Sequence, residues 1–292
     1  MRYALVTPAY NEAERIGYTL ASMAAQQRPP ERWVVVSDGS TDGTDELVRS
    51  WLPRLSFLRF VRREKTEDAG FWSKSRAFEH GRRELEGLGF DLLGNLDADV
   101  SFAPDYFARL VEAFRAGPEL GLAGGQIYEL REGRRTRQDV ARNSVAGAVQ
   151  LFRREVFQAI GGYAVLRQGG EDSLAEIQVR MAGWGVQTLR ELEVDHHGPV
   201  TTGRRGMLGH RFLKGMLAYR LGYDPSFHFL SCAYRTLERP WVIGGVCMAA
   251  GFLWAGLRRA ERWAPPEVRR FLRKEQRVRL RTALSSGRLG RA

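Results

Sequence analysis

Cysteine is nearly missing: the 292 residues contain only Cys232 and Cys247. Two thiols without metal-ligand spacing exclude a disulfide framework and a cysteine-based metal centre, and they suit a reducing compartment. No G-x-G-x-x-G follows an early apolar run, which removes the usual dinucleotide-binding turn and argues against a dehydrogenase. Internal repeats and low-complexity tracts are absent too. The start, Met1-Arg2-Tyr3-Ala4-Leu5-Val6-Thr7-Pro8, turns polar too soon for a signal peptide, so synthesis without export is the expectation. One long stretch, Trp241–Leu257, lacks any charge. Its 17 residues lie at the bottom of the range for a membrane span, and a crossing would carry a basic tail to the far side, against the positive-inside tendency. With Gly244, Gly245, Gly251 and Gly256 inside it, a shallow re-entrant or interface-lying helix is expected, the alternatives being a helix packed on the rest of the chain or a true span.

A hydrophobic content of 43% with 27% charged residues describes an ordinary folded chain. The net charge of +11 is unevenly placed. From Arg258 onward there are 12 arginines and lysines against Glu261, Glu267 and Glu275, a net +9. Such a tail seeks polyanions (an anionic lipid surface, a lipid pyrophosphate or nucleic acid) unless it is simply a solvated helix.

The first half alternates short apolar runs with helix-period stretches, the pattern of a mostly parallel sheet with crossover helices, an α/β fold. Strands are expected over Tyr3–Thr7, Trp33–Ser37, Leu58–Val61 and Leu92–Leu96, and helices over Glu14–Gln27, Thr44–Leu52, Trp72–Leu85 and Asp105–Phe114. Asp42 is placed to cap the second helix and Pro104 to open the fourth. Further on, Leu122–Tyr128, Val149–Phe152 and Val186–Leu189 read as strands, Arg154–Ile160 and Asp172–Ala182 as helices, and Arg131–Arg142 as a polar loop. From Gly198 the chain becomes Arg-, Gly- and aromatic-rich with helical period, so residues 1–200 are read as one domain and 201–292 as a helical, basic extension.

Two acidic pairs stand where elements should end. Asp97-Ala98-Asp99 follows the fourth strand, and Glu171-Asp172 follows Gly169-Gly170. Carboxylates one residue apart at a strand exit suit a divalent cation that already carries phosphate oxygens. A carboxylate on a Gly-flexed loop suits a general base that meets a second substrate. Both pairs can also be turn or first-turn helix residues, favoured there by the dipole. Thr7-Pro8-Ala9-Tyr10-Asn11-Glu12 lies at the carboxyl end of the first strand, the edge where open α/β sheets bind ligands. Pro8 and Tyr10 can supply a flat surface for a base, Glu12 can reach a ribose, and Asp38 can accept from a base N–H. Ordinary turn chemistry explains the same residues.

Thr-Pro-Ala-Tyr-Asn-Glu, then Val-Val-Val-Ser-Asp-Gly-Ser-Thr-Asp-Gly-Thr, then Asn-Leu-Asp-Ala-Asp-Val, then Gly-Gly-Glu-Asp, taken in order from Tyr3 to His197, closely resembles the family 2 glycosyltransferases of the GT-A fold. The resemblance implies a Rossmann-like mixed sheet flanked by helices and inverting transfer of a sugar from a nucleoside diphosphate sugar, UDP- or GDP-type, to an acceptor hydroxyl. It implies a nucleoside pocket at Thr7, Pro8, Tyr10, Glu12 and Asp38, with Lys74 the nearest match to a basic residue near the nucleotide, although the usual Ala-Arg-Asn form is absent. Asp97 would face the ribose or donor sugar. Asp99 would hold Mg²⁺ or Mn²⁺, and Asp172 would be the base, with Glu171 positioning loop or acceptor. A histidine of Asp195-His196-His197-Gly198, either His196 or His197, would complete the metal shell or touch the diphosphate. Arg204, Arg205, His210, Arg211 and Lys214 can meet phosphates or form a solvated face.

The region from Leu221 to Gln276 resembles, more loosely, the extensions of bacterial envelope and exopolysaccharide enzymes. This implies a glycan or polyprenyl-diphosphate-linked acceptor, an anionic membrane surface as partner, and a cytoplasmic, peripheral or monotopic location at the inner face of the membrane. Sugar nucleotidyltransfer is a rival on the same fold, but it wants a Gly-rich, Arg-containing loop where Pro8–Glu12 stands. A non-catalytic polyanion binder would explain the tail yet leave Asp97, Asp99 and Asp172 without purpose, so no nucleic-acid partner is expected.

Overall fold

The computed structural model describes residues 1–64, 72–131, 134–138, 140–141, 143–166, 169–198, 206–236 and 242–285. Arg142, Arg204, Arg205 and Trp241, named above, lie outside them. The chain divides into two compact units, Met1–Pro199 and Val200–Ala292.

In the first unit, β1 (Tyr3–Ala9), α1 (Ile16–Ala24), β2 (Arg32–Asp38), α2 (Thr44–Trp51), β3 (Leu58–Arg63), α3 (Trp72–Arg83) and β4 (Leu92–Leu96) alternate as the apolar rhythm requires. β1 pairs in parallel with both β2 and β4, and β2 with β3. Side chains alternate across each strand, so β1 splits its residues between two cores. Tyr3, Leu5 and Ala9 pack with Ile16, Leu20 and Met23 of α1, whereas Ala4 and Val6 pack with Ala77 and Phe78 of α3. Each fully buried Leu, Val or Phe here contributes about 1.5–3 kcal/mol.

After β4 come β5 (Val100–Phe102), α4 (Tyr106–Ala116), β6 (Leu120–Arg131), β7 (Arg134–Arg137), β8 (Val149–Arg153), α5 (Arg154–Ala159), α6 (Glu171–Met181) and β9 (Gly185–His196). The sheet order is β3-β2-β1-β4-β8-β6-β9-β5, with β7 paired to β6. β8 runs antiparallel to both β4 and β6, and β5 antiparallel to β9, so the sheet is mixed.

Several expectations shift. Part of the polar segment read as a loop forms β7, whose Arg135 reaches Asp195 at 2.6 Å and Glu193 at 2.8 Å; cross-strand ion pairing lets charged residues hold a strand. β5 was not anticipated, and β9 runs seven residues past Leu189. Gly43 holds the N-cap position of α2, while Asp42, one residue earlier, accepts from the Thr44 amide at 3.1 Å. α4 begins at Tyr106, two residues after Pro104.

The second unit contains α7 (Gly206–Leu221), α8 (Pro225–Arg235), α9 (Ile243–Leu257) and α10 (Pro266–Ser285). Asp224 caps α8 by accepting from the Ser226 and Phe227 amides, and Arg277 of α10 pairs with it at 2.7 Å. α9 packs on α7 and α8. No helix among the described residues is long and apolar enough to cross a membrane.

Candidate active site

The loop after β1 and the loop after β2 are laced together. Asn11 Oδ1 accepts from the Thr41 amide at 2.9 Å, the Glu12 amide donates to Thr44 Oγ1 at 2.8 Å, and the Ala13 amide donates to Asp42 Oδ2 at 3.0 Å. The Ser-Thr-Asp-Gly-Thr motif therefore braces the first loop. Asn11 sits at φ 53°, a left-handed conformation that Asn tolerates better than most residues, and the chain turns there to present Glu12. Burial pushes the Glu12 carboxyl up to about 7, with help from the Asp99 charge, so Glu12 faces the acidic pair.

β4 ends at that pair. The Asp97 amide donates to the Ala148 carbonyl at 2.9 Å, and Asn95 Nδ2 donates to the Gly147 carbonyl at 2.6 Å and to Asp97 Oδ1 at 3.3 Å. The same Gly147 lies against Asp172: a Cβ there would come 2.5 Å from Asp172 Oδ2. The start of α6 is thus brought to the exit of β4 through residues 147–148. Asp172 Oδ1 accepts from the Ser173 amide at 2.7 Å.

Lys74 of α3 stands between the two pairs. Its Nζ is 2.6 Å from Asp97 Oδ1. Desolvation works against its charge, but Asp97, then Glu171 and Asp172, more than offset this and hold its pKa above the ordinary lysine value. Glu171 is pushed up to about 7 by burial and by the Asp172 charge beside it, and its Oε2 is buried with no hydrogen-bond partner among the described residues.

β5 completes the centre. It pairs Val100 with His196 of β9, and this register sets His196 Nε2 3.4 Å from Asp99 Oδ1. The next residue points elsewhere, as strand alternation requires. His197 Nε2 lies 2.7 Å from Ser101 Oγ, and its ring stacks on Tyr18 at 3.9 Å. Of the two histidines, His196 alone joins the cluster. Asp97, Asp99 and His196 each offer a ligand atom, all within 4.8 Å of one another. Burial and the neighbouring Asp97 raise the Asp99 pKa, and His196 Nδ1 is buried with no hydrogen-bond partner among the described residues. Two carboxylates and an imidazole this close together form a donor set that a divalent cation fits.

Other expected residues are placed less directly. Thr7 is fully buried and its hydroxyl accepts from Trp33 Nε1 at 2.8 Å, so its side chain serves the core. Asp38 is engaged by Arg63 at 3.0 Å and by Ser73 Oγ. Pro8 is partly exposed and Tyr10 exposed at the mouth of the β1 loop. Tyr163 and Glu176 were missed. Tyr163 donates to Gln150 Oε1 at 2.6 Å and its pKa is raised by burial and by Asp172; Glu176, pushed up to about 8 by burial and Asp172, accepts from the Val145 amide at 3.2 Å. Neither belongs to a motif, and one helical turn between Asp172 and Glu176 was the only available signal.

Sequence comparison bears directly on this cleft. A profile described as Glycosyl transferase family 2 matches residues 4–172. The chain belongs to that family. The match spans the strands and loops that carry both acidic motifs.

It is 29% identical over 205 residues to the succinoglycan biosynthesis protein ExoA of Rhizobium meliloti, covering 62% of this chain and 59% of that protein. It is 30% identical over 131 residues to the polyprenol monophosphomannose synthase of Mycolicibacterium smegmatis, covering 43% of this chain and 46% of that one. The chain thus spans less than two thirds of the length of these relatives. Among solved structures, a mannosyltransferase of Pyrobaculum calidifontis in complex with GDP-Man and Mn²⁺ aligns at TM-score 0.61 and 24% identity over 97% of this chain and 80% of that one. Staphylococcus aureus TarS with UDP-GlcNAc aligns at 0.54 and 15%, over 90% and 74%. These likenesses establish the GT-A fold.

Proposed function

We propose that this glycosyltransferase is inverting and metal-dependent, and moves a sugar from a UDP- or GDP-type donor to a hydroxyl of a glycan or polyprenyl-diphosphate-linked acceptor in envelope or exopolysaccharide synthesis. The observation that carries the reading is the Asp97–Asp99–His196 cluster separated from Glu171-Asp172 by one lysine. The named activities of the two relatives, one in succinoglycan biosynthesis and one a polyprenol monophosphomannose synthase, support the acceptor class. The ligands of the structural neighbours support the donor class.

Asp97, Asp99 and His196 would hold Mn²⁺ or Mg²⁺, which when bound spreads the charge that builds on a departing diphosphate. Lys74 adds a fixed positive charge beside the same oxygens. Pro8 and Tyr10 offer the base a flat surface, Glu12 reaches the ribose, and Asp38, held by Arg63, stands behind them, while Thr7 is left to the core. Asp172 takes the proton of the acceptor hydroxyl as that oxygen bonds to the anomeric carbon. The bond from that carbon to the diphosphate oxygen breaks, and its electron pair leaves with the nucleoside diphosphate. Attack from the opposite face inverts the carbon, and no enzyme nucleophile is needed. Glu171 positions the acceptor loop.

The test is a panel of UDP- and GDP-sugars with Mn²⁺, read as thermal stabilisation and as slow release of the nucleoside diphosphate. Asp99→Asn should lose the Mn²⁺-dependent stabilisation. Asp172→Asn should keep it and lose release by about 10²-fold or more, the scale of a removed general base. Full release by Asp172→Asn, or an undiminished Mn²⁺ effect in Asp99→Asn, would overturn the assignment.

A further inference from the structure

The positive charge of this chain belongs to its second unit. Residues 200–292 hold 19 arginines and lysines against 5 aspartates and glutamates, a net +14, so residues 1–199 carry −3 within the total of +11. Two helices of that unit also expose side chains ill-suited to water. Along α9, Ile243, Val246, Leu253 and Leu257 recur at helical spacing with 54%, 57%, 54% and 81% exposure, and Trp254 stands beside them. The opposite side, Gly244, Met248, Gly251, Phe252 and Ala255, is buried. α8 packs beside α9 and repeats the pattern: His228 and Cys232 are buried, while Phe229, Leu230 and Tyr234 are exposed.

A stripe of this kind needs a cover, and the cover's charge can be argued. A second copy would bring another +14 unit against this one, and like charges repel. An anionic bilayer supplies apolar depth and negative phosphates together. Length fixes the mode of contact. At about 1.5 Å per residue α9 spans roughly 22 Å, short of a hydrocarbon core of about 30 Å, so it can lie in the interface but not cross. Where α9 ends, the exposed Arg258 guanidinium lies 4.6 Å over the Trp254 ring, an aromatic and cation pair suited to headgroup depth. Arg270, Lys274, Arg277 and Arg281 are exposed on α10.

We propose that the outer face of α8 and α9 is a bilayer-docking surface, inserting shallowly into anionic lipid while the arginines of the same unit meet lipid phosphates. This goes beyond the transfer reaction and does not depend on which sugar is moved or whether a metal binds.

The test uses the full chain and no sugar substrate. Co-sedimentation is measured with vesicles of phosphatidylglycerol and phosphatidylcholine and with phosphatidylcholine alone, alongside tryptophan quenching by lipids brominated in the acyl chain. The wild type should bind the anionic vesicles and be quenched, with Trp254→Phe removing the quenched component. The double variant Leu253→Ser, Leu257→Ser changes only exposed positions, and it should bind about tenfold more weakly or worse while keeping the wild-type circular dichroism and melting temperature. Unchanged binding by the double variant would overturn the proposal, as would wild-type binding without quenching, which is attraction by charge alone. A wild type that is dimeric by light scattering, with a monomeric double variant, would assign the face to a second copy instead.

Discussion

Lys74 Nζ and Asp97 Oδ1 lie 2.6 Å apart, and that one contact joins α3, the helix between β3 and β4, to the exit of β4. The same ammonium is stabilised by Glu171 and Asp172, so a single cation moderates four carboxylates that would otherwise repel. Lys74→Met removes it. Donor nucleotide affinity, read by calorimetry, should fall about tenfold or more, the scale of a lost charge-assisted hydrogen bond of 1.5–3 kcal/mol. Lys74→Arg should recover part of it. Unaltered affinity in Lys74→Met would remove the lysine from the donor site.

Gly198 follows the two histidines, and a Cβ on it would fall on Asp99 Oδ2. Gly198→Ala should therefore displace Asp99 and abolish Mn²⁺-dependent thermal stabilisation while leaving the metal-free melting temperature within a few degrees. An intact metal effect would mean that Asp99 can move aside at no cost.

Glu176 has no place in the transfer step, yet it sets a pH dependence. Burial raises its carboxyl from 4.5 to about 8 in the folded chain. Between those values the folded state binds the proton and the unfolded state does not. Its contribution is therefore fully present below about pH 4.5 and is lost as pH rises through about 8, at up to about 1.4 kcal/mol per pH unit. Glu176→Gln keeps an acceptor for the Val145 amide and cannot ionise. Melting temperatures from acid to mildly alkaline pH should show a steeper decline for the wild type than for the variant; parallel curves would exclude Glu176 as the source.

Thr7→Val deletes the acceptor of the buried Trp33 N–H. The loss should be about 1–3 kcal/mol of stability by chemical denaturation, the cost of an unsatisfied buried donor. Nucleotide affinity should be unchanged, because the hydroxyl faces the core. A selective loss of nucleotide affinity would return Thr7 to the pocket.

Much of this architecture was legible in the residues. Apolar runs such as Trp33–Val36 and Leu92–Leu96 end at the acidic motifs, and burial on both faces makes such runs unambiguous. Pairing partners that lie far away in sequence were not legible. β5 is three residues long and exists because Val100 pairs with His196; β7 is a run of arginines held by Asp195 and Glu193 across the sheet. The choice between His196 and His197 depended on that same register, since a shift of one residue exchanges the two faces of a strand. Lys74 carried no motif of the expected form, and only the fold brings it to Asp97.

Because Val100 meets His196 across β5 and β9, the imidazole reaches the carboxylates only after nearly a hundred intervening residues have been threaded into place. The region shared with the family profile closes at residue 172, before that imidazole is reached. A fragment cut there would keep both aspartates yet have nothing to seal them from the side of β9. Assembly of the Asp97–Asp99–His196 cluster should accordingly wait on the docking of β9.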